Sequence, residues 1–332
     1  MEPRPITYLE THSHDPAYNL AFEEYVLTHR KDGDYLILWQ NENTVVVGVN
    51  QLTEAEIDRG FVEARGIRVV RRSTGGGAVY HDLGNLNYSF LTDHRPEDQL
   101  SMERFIQPVV EALRKLGVPA EATGRNDILA GGKKVSGTAQ KITGGRILHH
   151  GTLLFDSDPS AVAGALRVDP EKYRGRNTPS VRSRVGNIRP LLREDMDLPA
   201  FWEFLKNEFS GGDFRTGELS ESELKEVRAL KARKYDTWEW NYGKAPKAEM
   251  HTRRRYPGGA LEAYVTTAGD RIKDIEFHGD FLSRTSLETL YDALWDVPFT
   301  AEAVGEALQP CNLTDYFGTI TLSEIIDLLF YS

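Results

Sequence analysis

The sequence predicts an α/β protein of the α+β kind, with a large mixed or mainly antiparallel sheet followed by a small α+β unit. Apolar runs of strand length are interspersed with runs at helical spacing. They lack the regular strand–helix–strand repeat of a doubly wound parallel sheet. After the aromatic stretch Trp238-Glu239-Trp240-Asn241-Tyr242, which runs to Pro246, the pattern changes to short strands and short helices. That change divides the chain into residues 1–246 and 247–332. At 332 residues, 40% hydrophobic and 27% charged, the composition is ordinary for a globular chain long enough to hold two cores.

The elements follow in order. Tyr18–Arg30 reads as a helix, with Leu20, Ala21, Tyr25 or Val26, and Leu27 as its apolar side and Asp15-Pro16 as cap and first turn. Glu23 and Glu24 on that helix are expected to face solvent or a cap. Two strands flank the loop Gln40–Asn43, one over 35–39 and one over 44–49. A helix over 52–65 feeds a strand at 67–70, and another strand covers 85–91. The run 102–116 is a helix ended by Gly117, with Val109, Val110, Leu113 and Leu116 on one face. Strands are expected at 127–129, 134–140 and 146–155, then helices at 199–209 and 220–235. The last unit has strands at 260–266 and 272–278 and helices at 286–295, 300–308 and 323–330.

Composition excludes several function classes. A net charge of −10 argues against nonspecific nucleic-acid binding. No apolar run approaches the roughly 18 residues of a membrane helix, and no secretory signal is visible at the N-terminus. One cysteine, Cys311, cannot form an internal disulfide, which fits a reducing cytoplasm. The stretch from Lys172 to Arg189 holds six basic residues and no acidic one. It is either a solvated loop or a place to hold a phosphorylated ligand or an acidic partner.

Chemistry concentrates in two islands. In Arg71-Arg72-Ser73-Thr74-Gly75-Gly76-Gly77-Ala78-Val79-Tyr80-His81-Asp82, guanidinium groups stand beside glycines that let backbone N–H groups approach anionic oxygens. The plain alternative is a tight turn between strands. The second island runs from Gly124-Arg125-Asn126-Asp127 through Lys134-Val135-Ser136-Gly137-Thr138-Ala139 to His149-His150-Gly151-Thr152. Lys134 enters a strand of small residues that leaves room for a ligand, or else it is a surface lysine in a hairpin. His149 and His150 point to opposite faces of a strand, which disfavours a metal pair.

These motifs, in this order, resemble the lipoate–protein ligase A family. The match takes in Ser180–Val185, Trp238–Asn241 and a C-terminal segment with Arg255-Tyr256-Pro257 and Asp315-Tyr316-Phe317-Gly318. The resemblance implies a biotin/lipoate ligase (class II synthetase-like) catalytic fold with a C-terminal accessory domain. It implies ATP-dependent activation of lipoate, or octanoate, to an acyl-adenylate with release of pyrophosphate. The acyl group then passes to a lysine of a lipoyl domain in the E2 subunit of a 2-oxoacid dehydrogenase, or of the glycine-cleavage H protein. It carries over Lys134 as the residue between the lipoate carboxylate and the α-phosphate. Arg72, Gly77, Ala78, Val79, Tyr80 and Asn85 would hold ATP. Lys134 and Arg72 would also contact lipoate, and Leu20, Trp39, Val46, Gly76, His81 and His150 would line or close its slot, with Leu20 and Trp39 otherwise plain core residues. The loop matching Lys172–Arg184, with Arg182 and Arg184, would fold over the adenylate. Asp127 is the candidate Mg2+ ligand, its other role being to cap the turn after Gly124. No general base for transfer stands out. An octanoyl or lipoyl transferase of the same fold is the alternative; a cysteine relay, however, needs a thiol, and Cys311 lies far down the chain. A second form would take a preformed adenylate. A biotin ligase would need a Gly-Arg-Gly-Arg pattern where this chain has Arg-Arg-Ser-Thr-Gly-Gly-Gly, and a non-enzymatic carrier-binding protein would not need this set of anion-binding positions.

Overall fold

The fold is that of a computed structural model that describes residues 5–94, 102–123, 126–167, 185–243 and 248–331. Eleven strands precede residue 217: β1 (Ile6–Glu10), β2 (Tyr35–Trp39), β3 (Thr44–Val47), β4 (Arg68–Arg71), β5 (Val79–His81), β6 (Asn85–Asp93), β7 (Ala120–Thr123), β8 (Asp127–Ala130), β9 (Lys133–Thr143), β10 (Arg146–Leu154) and β11 (Phe214–Thr216). Eight of them form one sheet in the order β11-β1-β2-β6-β10-β9-β8-β7. Only the β11–β1 and β1–β2 pairs are parallel, so the sheet is mixed and mainly antiparallel, as the sequence predicts. A small second sheet, β4-β3-β5, carries the glycine island between its outer strands.

The large sheet is buried on both faces, and the strand period of two shows it. On β2, Leu36 and Leu38 enter a core with Tyr88, Val109, Leu113 and Phe201, under the helices Glu103–Lys115 and Leu198–Phe209. Ile37 and Trp39 enter the opposite core, with Leu20, Leu27, Val46 and Leu148, under the first helix, Pro16–His29. That helix begins as expected: the Asp15 carboxylate accepts from Ala17 N at 3.0 Å, with Pro16 in the first turn.

Three expectations are corrected. The single helix over 52–65 is two short ones, Thr53–Glu56 and Arg59–Ala64. Ile57 between them is extended and bridges Leu166, while Asp58 caps the second by accepting from Phe61 N. The helix over 220–235 is regular only to Leu230 and closes in a wide π turn over Lys231–Tyr235. A strand was missed at Met250–Tyr256 (β12), where consecutive arginines conceal the alternation. Arg253 and Arg255 reach Glu262 and Asp280, at 3.2 and 3.0 Å, and Arg254 pairs with Asp327.

β12 pairs with β13 (Gly259–Ala268), which pairs with β14 (Arg271–Gly279), in an antiparallel meander. Behind it, Leu261, Val265, Phe277, Leu290, Leu308 and Leu328 form a separate core. This unit meets the rest of the chain at the glycine island: Gly76 N donates to Phe281 O at 3.0 Å, and Asn50 Nδ2 donates to Ser283 Oγ at 2.7 Å. A Cβ on Gly75 would lie 2.6 Å from Ser283 N, so this glycine admits the backbone of the C-terminal unit and not a ligand, as the sequence had suggested. The cut at residue 246 falls within 244–247, outside the described residues.

On β10, His149 faces the core under the helix Glu103–Lys115, stacked on Phe105 with centroids 4.8 Å apart. Burial pushes its imidazole down to about 3, and burial followed by Arg72 and His150 does the same to His81. Both are depressed, so the unfolded chain takes up these protons first. Their contribution to stability is therefore present above about pH 6.5 and lost as pH falls from 6.5 towards 3. Each histidine should cost about 2 kcal/mol of stability between pH 6.5 and pH 5. Denaturant titrations at several pH values check this: His149→Gln should flatten the loss, and an unchanged slope would refute it.

Candidate active site

The face of the large sheet toward the first helix carries two cross-strand rows of polar and small residues. Asp127 pairs with Gly137, Gly137 N donates to Thr152 Oγ1 at 3.2 Å, Thr152 pairs with Asn87, and Asn87 pairs with Trp39. In the next row lie Ala139, His150, Ser89 and Ile37. Lys134 stands at a register shift between β8 and β9, which turns its side chain back over this face. Its Nζ lies 2.7 Å from Asp127 Oδ1 and would be only 2.9 Å from a Cβ on Gly137. The small-residue strand thus seats the ammonium above the sheet, with Lys134 and Asp127 still 35% and 37% exposed.

Opposite that floor stands the glycine turn, and Arg72 shapes it. Its Nε donates to Thr74 Oγ1 at 3.0 Å; its terminal nitrogens donate to the carbonyls of Val46, Gly75 and Gly77, at 3.2, 2.6 and 2.9 Å. Burial lowers this guanidinium to about 10, so it stays charged at neutral pH. Three of its N–H groups are thus committed to the turn and one to β3, which makes it a brace for the backbone at Gly77, Ala78, Val79 and Tyr80. Arg71 points elsewhere: it donates to Gly48 O, Gln51 O and Trp240 O, at 2.9, 2.6 and 2.7 Å, clamping the Trp238–Asn241 helix. The expectation of paired guanidinium groups for an anion fails for Arg71, because alternate strand positions face opposite ways.

From Arg72 a directed chain of hydrogen bonds crosses the site. Thr74, having accepted from Arg72, is hydrogen-bonded to His150 Nε2 at 2.8 Å. His150 Nδ1 then donates to Glu23 Oε1 at 2.9 Å. From the other side Trp39 Nε1 donates to Ser89 Oγ at 2.9 Å, and Ser89 donates to Glu23 Oε1 at 2.5 Å.

Glu23 is 3% exposed, which overturns its expected place in solvent or at a cap. The missed signal is spacing: Glu23 stands between Leu20 and Leu27 at i+3 and i+7, on the apolar side. Glu24 is corrected too. Burial pushes its carboxyl up, but Lys234 at 2.7 Å and the Tyr235 hydroxyl outweigh that and hold it below the ordinary range.

His81 is oriented in the same manner. Asn19 Nδ2 donates to Gln40 O and to Asn41 Oδ1, at 2.7 and 3.0 Å, which leaves Asn41 Nδ2 to donate to His81 Nδ1 at 3.0 Å. The proton of the uncharged ring is therefore on Nε2, a buried donor with no partner among the described residues. It lies edge-on to Trp39, with centroids 6.3 Å apart. Leu20, Trp39 and Val46 share one core cluster, and Gly76 adopts φ +91 where the turn meets Arg72 and Leu282. Asn85 is buried at the end of β6, bonded to Asn87 at 3.0 Å. The structure thus gathers Lys134, Asp127, Arg72, His81, His150, Trp39, Leu20 and Val46 around one sheet face. Arg182 and Arg184 lie outside the described residues, as do Gly124, Arg125 and most of the basic stretch from Lys172. Cys311 packs against the C-terminal core. No helix among the described residues is long and apolar enough to cross a membrane, and they hold no group of three metal-ligating side chains.

Known proteins share this arrangement. The lipoyl protein ligase A/B catalytic domain matches residues 15–210, and the bacterial lipoate protein ligase C-terminus matches residues 245–329. The lipoate-protein ligase LplJ of Bacillus subtilis is 38% identical over 321 residues, covering 95% of this chain and 97% of its own. A crystal structure of lipoate-protein ligase A bound with ATP superposes with a TM-score of 0.62 at 33% identity, covering 73% of this chain and 99% of that one. A bi-partite lipoate protein ligase from Thermoplasma acidophilum, described with its E2 lipoyl domain, gives a TM-score of 0.65 at 32% identity, covering 75% of this chain and all of that one. With both family segments in order along the chain and relatives matched over nearly all of its length, the chain belongs to the lipoate–protein ligase family.

Proposed function

We propose that this chain activates lipoate, with octanoate as a second acyl substrate, by reaction with ATP and then transfers the acyl group to a lysine of an acceptor protein. The observation that carries the reading is the Lys134 ammonium, held over Gly137 on a floor of small residues. In the first half-reaction a carboxylate oxygen attacks the α-phosphorus and pyrophosphate leaves. Two anions must meet, and a fixed ammonium between them lowers that repulsion where charge concentrates. The backbone of Gly77–Tyr80 would cradle the phosphates, and Asn85 would read the base through its amide. In the second half-reaction a neutral lysine amine attacks the acyl carbonyl and AMP leaves. Desolvation on docking favours the neutral amine.

The acyl tail would lie in the apolar zone of Leu20, Trp39 and Val46, closed by Gly76, His81 and His150. Such a zone separates lipoate from octanoate only weakly. Mg2+ keeps several waters and needs one or two carboxylates beside phosphate oxygens, which Asp127 at the open end of the floor suits. When bound it would neutralise phosphate charge. We read residues 1–246 as the catalytic domain and 247–332 as an accessory domain, on the strength of the separate C-terminal core. Arg182 and Arg184 would close over the adenylate. Acceptors would be E2 lipoyl domains or a glycine-cleavage H protein, as the archaeal relative's pairing suggests, and a single cysteine fits a cytoplasmic setting.

Carboxylate-dependent ATP–pyrophosphate exchange, run with lipoate, octanoate and biotin, tests the reading. Exchange is expected with the first two, and silence with all three would overturn it. Lys134→Ala should lower exchange by roughly a hundredfold or more. Its melting temperature should hardly move, because a half-exposed ion pair contributes little to stability; exchange near the wild-type rate would refute the assigned role. Glu23→Ala strands two buried donors, on His150 and Ser89, and should cost about 3 kcal/mol in denaturant unfolding. The lipoate KM should rise more than the ATP KM, and unaltered stability would contradict the hydrogen-bond chain.

A further inference from the structure

Between the acyl zone and the nucleotide end, the floor carries one buried polar group that no role above uses. Asn87 is 1% exposed, and its Nδ2 has no hydrogen-bond partner among the described residues. Its Oδ1 accepts from Asn85 Nδ2 at 3.0 Å, so this pair of amides has two spare ends, the Asn87 Nδ2 donor and the Asn85 Oδ1 acceptor. An amide left unpaired in a sheet core costs free energy that is recovered when a ligand supplies an acceptor.

Register states which ligand atom that is. Asn87 lies in the cross-strand row of Trp39, Thr152, Gly137 and Asp127, the row over which Lys134 folds its ammonium. Trp39 beside it belongs to the acyl zone, and Asn85, two residues back on the same strand face, is at the nucleotide end. The junction of these two zones is where a carboxyl group meets an α-phosphate. We propose that the Asn87 side-chain amide donates to the acyl carboxyl oxygen that does not attack phosphorus. This assignment rests on the adenylating function proposed above.

The chemistry suits a neutral donor there. As one carboxylate oxygen bonds to phosphorus, the other changes from half an anion to a carbonyl, and the negative charge leaves with pyrophosphate. The ammonium keeps the α-phosphate as its counter-charge through this step, and the new carbonyl oxygen needs a donor of its own. A neutral amide stays bonded to the same oxygen through the change. When the acceptor amine later adds to the carbonyl, the oxyanion forms on that oxygen, already facing Asn87.

Steady-state ATP–pyrophosphate exchange on the full-length protein, varying lipoate and ATP separately, tests this. Asn87→Ala should raise the lipoate KM or lower the exchange rate by about tenfold or more, with the ATP KM within about twofold of wild type. Asn87→Ser keeps a shorter donor and should recover part of the loss; it also serves if the alanine variant folds poorly. An unchanged lipoate dependence overturns the assignment. A raised ATP KM with normal lipoate dependence also does so, since the amide would then serve the nucleotide. Wild-type protein without lipoate-dependent exchange would sink the functional reading and this inference with it, whereas wild-type exchange with an unaffected variant sinks only the inference.

Discussion

The buried carboxylate of Glu23 organises this site, because three separate parts of the fold end on it. His150 approaches from the central sheet and Ser89 from the neighbouring strand, while the carboxylate itself rides on the first helix. Through Thr74 the chain extends to Arg72 and so to the glycine turn, and through Ser89 it extends to the indole of Trp39. A buried anion is tolerable only when several donors converge on it. The donors must come from these positions, so the helix, the sheet and the turn hold one relative placement. That placement sets the gap between the turn and the sheet floor.

Within the gap, rigidity and room come from different residues. The turn is stiff because a buried guanidinium takes its carbonyls as acceptors. The floor is open because Gly137 and Ala139 withhold side chains where Lys134 needs space. Lys134 and Asp127 alone in this group keep substantial contact with water. The ammonium is thus the group open to solvent, and those that set its surroundings are buried. Such a division suits a reaction in which positioning and electrostatics supply most of the rate.

The C-terminal unit is tied into the same place. Its segment around Phe281–Ser283 lies against Gly75 and Gly76, and the absence of a Cβ at Gly75 is what lets the two backbones meet. The turn therefore has two faces, one toward Arg72 and one toward the second unit. Any shift of that unit would be felt by the backbone at Gly76, whose N–H donates across the boundary.

The class of fold, the order of most elements and the two motif islands were legible in the chain alone. Periodicity and capping act over a few residues, and a family pattern such as Arg72, Lys134 and His150 in order is a property of the chain. It also carried the separate character of the C-terminal unit, through the change from long to short elements. Tertiary structure alone decided which charged groups are buried. Glu23 and Glu24 are adjacent and chemically alike, yet one ends among His150 and Ser89 and the other beside Lys234. Arg71 and Arg72 part in the same way, one to a structural clamp and the other to the turn. The reason is distance along the chain. Glu23, Glu24 and Arg71 take partners 127, 210 and 169 positions away, whose approach depends on packing that no local window of sequence contains, whereas Arg72 bonds mostly within its own turn.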